Sequence, residues 1–298
     1  MTVFTRRRFL SISAAMTAMP ALAAPAPVAT WRGRALGGLV SMKLAGLGAT
    51  DAAPIFNAVE QELLRLENIF SLYRTESQVS RLNRDGALEA PAPELLQVLA
   101  FSDRLNAESA GLFDPTIQTL WMTLAQGQTG AELGRARALV GWQGVRFDTQ
   151  AVQLREPGQA VTLNGVAQGF VTDRIAALLK AQGLHDVLLD MGEVAALGQA
   201  DRGRAWKVGV ADPDGSLVKR MTLQDRALAT SAPMGTALGD GGHILNPQGA
   251  AVTQQIVSVS APQAMMADGL STTLCLMSAE EGQRLVSRFP GASIEVLA

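Results

Sequence analysis

The sequence predicts an α+β protein whose helical first half packs on a strand-rich second half. Apolar residues recur at helical spacing in several segments before Gly141, whereas short runs with a strand-like pattern dominate from Gly144 onward. Helices that are gathered in blocks, rather than alternating with strands, disfavour a regular βαβ winding. We therefore expect one domain that contains a mixed or antiparallel sheet.

The amino terminus has the layout of a secretory leader. Three arginines at residues 6–8 precede an apolar stretch that ends in Ala-Leu-Ala at residues 21–23. Because consecutive arginines followed by Phe-Leu resemble a twin-arginine leader, we predict a signal peptide over residues 1–23, a spacer over residues 24–34 and a folded domain over residues 35–298. Removal of the leader takes away three arginines and no acidic residue, so the formal net charge changes from −2 to −5. The mature protein is expected in the periplasm, in contact with a membrane only through partners.

In the first half, one strand is followed by several helices. Residues 40–44 are predicted to form the strand, and residues 51–70 a helix, because their apolar side chains fall on one stripe. That stripe consists of Ile55, Val59, Leu63, Leu66 and Ile69. Further helices are expected at about residues 93–109, 116–126 and 131–140, with Gly111 and Gly141 suited to helix ends.

In the second half, strands outnumber helices. One clear helix is predicted at about residues 166–182, and two more at about 264–277 and 279–288. The predicted strands are residues 145–148, 151–154, 160–163, 187–190, 205–210, 217–223, 256–260 and 293–297.

Composition excludes several classes of function. Aromatic residues make up only 5% of the chain and its body has no long basic run, which disfavours a nucleic-acid partner. A single cysteine, Cys275, cannot form an intramolecular disulfide, and two histidines cannot supply a site that needs three. Neither a Gly-x-Gly-x-x-Gly fingerprint nor a P-loop is present, so nucleotide binding would need another device.

One polar cluster follows Ala267 at the predicted start of a helix. In a helix, Asp268, Ser271 and Thr272 share one face, and a carboxylate with two hydroxyls is a hard oxygen set suited to Mg²⁺. From spacing alone, an N-cap aspartate followed by ordinary hydroxyl residues in the first turns is the simpler interpretation.

Three further clusters could carry chemistry. Residues 162–173 join a strand to a helix through small residues, which suits either phosphate binding or close packing. His243 lies between Gly-Gly and Asn-Pro, where it is either a general base or a structural histidine. In residues 111–116, Asp114 or Thr116 could simply cap the following helix.

Taken together and in this chain order, these clusters resemble the ApbE family of FAD:protein FMN transferases, and in particular its twin-arginine-exported, NosX-like members. The resemblance spans essentially the whole mature chain. It is carried by residues 35–38, 70–74, 80–83, 111–116, 163–173, 189–193, 229–231, 243–247 and 267–272.

The resemblance implies an ApbE-like fold and an enzyme that splits FAD with Mg²⁺, transfers FMN to a Ser or Thr hydroxyl of another protein and releases AMP. It implies that the carbonyl of Gly165 and the side chains of Asp268, Ser271 and Thr272 hold the Mg²⁺. His243 matches the motif histidine and would take the proton from the target hydroxyl. The implied flavin-nucleotide contacts are Leu36, Tyr73, Leu112, Phe113, Asp114, Thr162, Gln168 and Leu245. The acceptor is expected to be a subunit of a respiratory electron-transfer complex.

The chain departs from the common family pattern at five positions. They are Thr162 for Asp, Gln168 for Lys or Glu, Glu193 for the second Gly of Asp-Met-Gly-Gly, Ala232 for Gly and Asn246 for Asp. The first two departures affect the expected nucleotide contacts, whereas the metal set is intact. Two alternatives therefore stay open: a periplasmic FAD pyrophosphatase that releases FMN and AMP, and a non-catalytic FAD-binding assembly protein for a respiratory complex.

Overall fold

The computed structural model describes residues 27–200, 203–238 and 241–298, so the predicted signal peptide lies outside the described residues. The helices are α1 (Ala49–Phe70), α2 (Gln78–Asp85), α3 (Pro93–Glu108), α4 (Gln118–Ala125), α5 (Gly130–Ala138), α6 (Asn164–Ala181), α7 (Ala264–Leu274) and α8 (Ala279–Val286). Short 3₁₀ helices lie at Trp142–Gly144 and Pro233–Gly235.

Within the described residues, the strands belong to one large sheet and three small ones. They are β1 (Val28–Ala35), β2 (Gly38–Ala45), β3 (Ala87–Glu89), β4 (Arg146–Phe147), β5 (Ala151–Gln153), β6 (Val187–Asp190), β7 (Val194–Leu197), β8 (Trp206–Ala211), β9 (Leu217–Leu223), β10 (Arg226–Ser231), β11 (Ala237–Leu238), β12 (Gly241–Gly242), β13 (Val257–Ala261) and β14 (Ser293–Leu297). The large sheet has the order β1-β2-β6-β7-β10-β13-β14, and every pair in it is antiparallel. The predicted α+β class and antiparallel sheet are confirmed.

The two faces of the large sheet are covered by different elements. Along β7, Ala195 and Leu197 face the main core, in which α6 and α7 pack on the sheet, whereas Ala196 faces a second cluster with Trp206 of β8 and Leu228 of β10. This alternation is the two-residue period of a strand that is buried on both sides. The hairpin β8–β9 therefore covers the face opposite to the helices.

Helices α6 and α7 approach each other closely because glycines lie at their crossing. A Cβ atom on Gly169 would lie 2.4 Å from the carbonyl oxygen of Ala264, and one on Gly269 would lie 3.1 Å from Val166 Cγ1 of α6. Larger residues at these positions would force the helices apart. The close crossing brings the start of α6 beside the polar face of α7.

Most predicted elements are confirmed, but two predictions are wrong in part. Residues 28–34 of the predicted spacer belong to β1, which pairs with β2 along its full length. Its buried side chains are the small residues Ala29 and Ala35, and Trp31 is only half-buried, so β1 lacks the alternation of large apolar residues that marks a strand in a sequence. Residues 160–163 form only a single parallel bridge, between Ile117 and Ala160, instead of a strand.

No helix in the described ranges is both long enough and apolar enough to cross a membrane.

Candidate active site

The polar cluster on α7 lies in the second and third turns of that helix. The helix begins at Ala264 after the N-cap residue Gln263, so the interpretation of Asp268 as an N-cap is wrong. The hydroxyl of Ser231, at the end of β10, lies 2.8 Å from Ser271 Oγ and 3.3 Å from Thr272 Oγ1. Strand β10 thus adds a third hydroxyl to the predicted set.

The first turn of α6 meets this cluster. The amide of Gly169 donates to Asp268 Oδ2 at 3.0 Å, and in a regular helix the same amide faces the carbonyl of Gly165. A Cβ atom on Gly165 would lie 3.1 Å from Thr272 Oγ1, so the absent side chain leaves a cradle beside the hydroxyl. The structure therefore brings together all four predicted metal ligands, Gly165, Asp268, Ser271 and Thr272.

Two carboxyl groups are buried at this point. Asp268 is 3% exposed, and burial raises its pKa to about 7, with the charge of Asp173 adding to the effect and the Gly169 amide opposing it. Burial also raises the pKa of Glu193 well above its ordinary value, and the charge of Asp268 raises it further. A nearby cation would offset the cost of burying these charges.

The donor chemistry of the cluster fits a hard divalent cation. In the described part of the chain, no group of three or more His, Cys, Asp or Glu side chains is arranged to hold a metal. The predicted set instead combines one carboxylate with two hydroxyls and a backbone carbonyl. All of these are oxygen donors, which suit Mg²⁺ better than zinc or copper.

His243 is held in a defined orientation after β12. Its amide and its Nδ1 atom both contact the carbonyl oxygen of Pro233, at 3.0 Å and 2.9 Å. Because a carbonyl only accepts hydrogen bonds, Nδ1 carries the proton in the neutral ring, and Nε2 is left with a lone pair. Pro233 lies two residues after Ser231, the last residue of β10. The contacts with Pro233 therefore hold His243 close to the end of the strand that supplies the third hydroxyl.

Three of the predicted nucleotide contacts meet at the turn between β1 and β2. The amide of Leu36 donates to Glu67 Oε1 at 3.0 Å, and Glu67 also pairs with Arg74. A Cβ atom on Gly37 would lie 3.2 Å from the ring of Tyr73, which is 78% exposed. The amide nitrogen of the Gln168 side chain would lie 3.6 Å from a Cβ atom on Gly38.

A second group of predicted contacts lies near Gly165 at the start of α6. Phe113 Cε2 would lie 3.4 Å from a Cβ atom on Gly165, and the amide of Thr162 donates to the carbonyl of Pro115. The carboxylate of Asp114 accepts the amides of Thr116 and Trp142, so its oxygens already hold the loop together.

The remaining two predicted contacts lie near these groups in sequence. Leu112 directly precedes Phe113, Leu245 lies two residues after His243, and both leucines are half-buried.

The chain is similar to known proteins over most of its length. A sequence profile described as "ApbE family" matches residues 36–297. The chain belongs to the ApbE family. Relatives include the FAD:protein FMN transferase of Vibrio cholerae serotype O1, 27% identical over 259 residues that cover 79% of this chain and 77% of the relative. The FAD:protein FMN transferase of Salmonella typhimurium is 25% identical over 282 residues, covering 86% and 80%.

Solved structures of ApbE proteins share the fold. The flavin transferase ApbE from Vibrio cholerae matches with a TM-score of 0.81 at 24% identity, over 91% of this chain and 93% of that chain. The apo form of the Pseudomonas stutzeri flavinyl transferase ApbE matches with a TM-score of 0.78 at 25% identity, over 93% and 96%. These matches confirm the predicted ApbE-like fold.

No pattern in the sequence indicated the role of Asp173. This residue of α6 accepts the amides of Ala264 and Met265, at 2.7 Å and 3.0 Å, and so caps α7 in place of Gln263. It closes the motif at residues 162–173, but only the folded structure reveals its partners. By fixing the start of α7, Asp173 sets the position of Asp268 relative to α6.

We expect Asp173 to make stability depend on pH. Burial raises its pKa from 3.8 to about 6, so between these values the folded protein holds a proton that the unfolded chain releases. The contribution of protonated Asp173 to the free energy of unfolding is complete below about pH 4 and is lost as the pH rises through 6. The free energy of unfolding of the wild type minus that of Asp173→Asn should therefore fall by about 2–3 kcal/mol between pH 4 and pH 7.

Urea unfolding at several pH values measures this difference. Asp148→Asn is the matched control, because the pKa of the exposed Asp148 is lowered by hydrogen bonds from the amides of Ala151 and Gln150. The free energy of unfolding of the wild type minus that of Asp148→Asn should rise, not fall, as the pH increases. A difference that stays constant with pH for Asp173→Asn would contradict the expected titration.

A cleft of about 500 Å³ lies away from the predicted site. It is lined by Gln143, Gly144, Arg146, Gln153, Leu154 and Arg155. None of the predicted site residues is among them, so this cleft is not part of the candidate active site.

Proposed function

We propose that this protein transfers the FMN moiety of FAD to a serine or threonine hydroxyl of an acceptor protein and releases AMP. Membership of the ApbE family supports the proposal, as do the two relatives named FAD:protein FMN transferase. The observation that carries it is the meeting of Gly165, Asp268, Ser271 and Thr272, which come from two helices about 100 residues apart in sequence.

The proposed reaction depends on Mg²⁺. The carbonyl of Gly165, the carboxylate of Asp268 and the hydroxyls of Ser271 and Thr272 would hold it, and the cradle at Gly165 and the hard oxygen donors fit such an ion. When bound, Mg²⁺ neutralises negative charge on the pyrophosphate oxygens of FAD. The hydroxyl of Ser231 orients those of Ser271 and Thr272, and the Gly169 amide fixes the Asp268 carboxylate.

His243 acts as the general base. Its Nε2 lone pair takes the proton of the acceptor hydroxyl, while the contact of Nδ1 with the Pro233 carbonyl keeps the ring in the required tautomer. The hydroxyl oxygen then forms a bond to the phosphorus of the FMN half. The bond between that phosphorus and the bridging oxygen breaks, and AMP leaves with the electron pair.

The flavin nucleotide contacts the chain around the start of α6. The exposed ring of Tyr73 is available for stacking on a flavin or adenine ring, and the ring of Phe113 lies beside Gly165. The remaining contacts in this proposal are Leu36, Leu112, Asp114, Thr162, Gln168 and Leu245. Thr162 and Gln168 bring no charge, so binding depends on shape and hydrogen bonds at these two positions.

We also propose that the protein acts in the periplasm after export by the twin-arginine route, as a NosX-like member of the family. The arginines at residues 6–8 and the Ala-Leu-Ala at residues 21–23 support this location. The acceptor in this proposal is a respiratory electron-transfer subunit with a Ser or Thr flavinylation site, and it provides the contact with the membrane.

Replacement of His243 tests the proposed base. We expect His243→Ala to bind FAD with unchanged affinity but to transfer FMN at least about 100-fold more slowly, because only proton removal is lost. Flavin fluorescence measures binding, and the mass of an acceptor domain with a Ser or Thr site measures transfer. His185→Ala changes the only other histidine, which is exposed, and should leave both quantities unchanged. Loss of folding in His243→Ala alone would instead assign this histidine a structural role.

A further inference from the structure

Glu193 is a buried acid that has no role in the proposed reaction. It lies in the turn between β6 and β7 and is 7% exposed. The charge of Asp268 raises the pKa of Glu193, and the backbone amide of Thr230 in β10 donates to its carboxyl group. That carboxyl group therefore lies near α7, the helix that carries three of the predicted cation ligands.

The neighbours of Glu193 place it beside the polar cluster. A Cβ atom on the adjacent Gly192 would lie 2.8 Å from the side-chain amide nitrogen of Gln168, and Gly169 donates to Asp268. On its other side lies β10, which pairs with β7 and ends at Ser231, the residue that contacts Ser271 and Thr272. Glu193 thus lies between the start of α6 and the end of β10, as the cluster does.

One oxygen of this carboxyl has no protein partner. Glu193 Oε2 is fully buried and makes no hydrogen bond. Within residues 27–200, 203–238 and 241–298, neither Glu193 nor Asp268 forms an ion pair with Lys, Arg or His. Two neighbouring buried carboxyls without a cationic side chain need either a bound cation or a proton to remain buried.

We propose that Glu193 supplies a second carboxylate to the cation site of Asp268, Ser271, Thr272 and Gly165. The inference rests on the proposed function, because it extends the same Mg²⁺ site. The oxygen that would bind the cation is Glu193 Oε2, which has no hydrogen-bond partner in the protein. Two carboxylates attract a divalent cation more strongly than one, so we expect the protein to bind Mg²⁺ in the absence of FAD.

Calorimetric titration of the whole protein with MgCl₂, in the absence of FAD, tests this inference. We expect the wild type to bind Mg²⁺, Glu193→Gln to bind it about 10- to 100-fold more weakly and Asp268→Asn to show no binding. Asp51→Asn, which removes an exposed acid in the first turn of α1, is the control and should bind like the wild type. Without Mg²⁺, Glu193→Gln should unfold at a temperature no lower than the wild type, because the buried acid then holds a proton and glutamine is an uncharged side chain of nearly the same size.

The outcomes separate the inference from the proposed function. If Glu193→Gln binds Mg²⁺ like the wild type while Asp268→Asn does not, Glu193 is a buried protonated acid and the inference is overturned, but the proposed site stands. If the wild type transfers FMN equally well without any divalent cation, the Mg²⁺ part of the proposed function fails.

A second measurement needs no variant and so does not depend on the folding of Glu193→Gln. In crystals of the wild type soaked with Mn²⁺, a carboxylate oxygen of Glu193 in direct contact with the ion supports the inference. An ion that contacts Asp268 and Thr272 but not Glu193 overturns it.

Discussion

Asp268→Asn is expected to reduce Mg²⁺-dependent transfer of FMN by at least about 100-fold while the protein stays folded. The asparagine has nearly the same size and its carbonyl oxygen can still accept the Gly169 amide, so the contact between α6 and α7 is retained. What is lost is the charge of a predicted metal ligand. Because burial raises the pKa of Asp268 to about 7, removal of its charge does not destabilise the cation-free protein.

The rate of AMP release as a function of MgCl₂ concentration measures this effect. Asp51→Asn removes an exposed acid in the first turn of α1 and serves as the control. An unchanged rate in Asp268→Asn would contradict the assignment of this residue as a metal ligand.

Gly169→Ala is expected to lower the free energy of unfolding by about 2–3 kcal/mol and to abolish transfer. The added Cβ atom would lie 2.4 Å from the carbonyl oxygen of Ala264 and 2.6 Å from Met265 Cα. Backbone atoms cannot rotate away as a flexible side chain can, so α6 and α7 must separate. Their separation would also remove the Gly169 amide from Asp268.

Urea unfolding together with the transfer assay measures both effects. Gly134→Ala is the matched control, since Gly134 lies within α5 and a Cβ atom there would meet nothing within 4 Å. That variant should be slightly more stable than the wild type, because alanine favours helix. A Gly169→Ala protein that is as stable as the wild type would contradict the need for a close helix crossing.

The sequence predicted the long elements well because their patterns are local. The stripe of Val59, Leu63 and Leu66 predicts α1 to within two residues of its observed start, and it is buried as expected. Strand β10 was missed, because its residues that face α7 are small and lack the pattern of large apolar side chains. Ala229 is fully buried there against Ala261 and Ala267, which only tertiary packing reveals.

The residues of the candidate site were predicted from the sequence, but the hydrogen bonds that join them to distant segments were not. The face shared by Asp268, Ser271 and Thr272 follows from helical spacing, whereas their contact with Ser231 joins segments about 40 residues apart in sequence. The cap of α7 by Asp173 spans about 90 residues. No local pattern marks such partners, since each is an ordinary polar residue until the sheet and helices bring them together.

Transfer itself is tested most directly by the stoichiometry of the two products. The protein is incubated with FAD, Mg²⁺ and an acceptor domain that contains a Ser or Thr flavinylation site, and acceptor mass and AMP are followed together. We expect one covalent FMN on the acceptor for each AMP released, and no adduct when the acceptor hydroxyl is replaced by alanine. Release of AMP and free FMN with no adduct would instead indicate FAD hydrolysis, and the absence of both products would indicate a protein that only binds FAD; either result would contradict the proposed transfer.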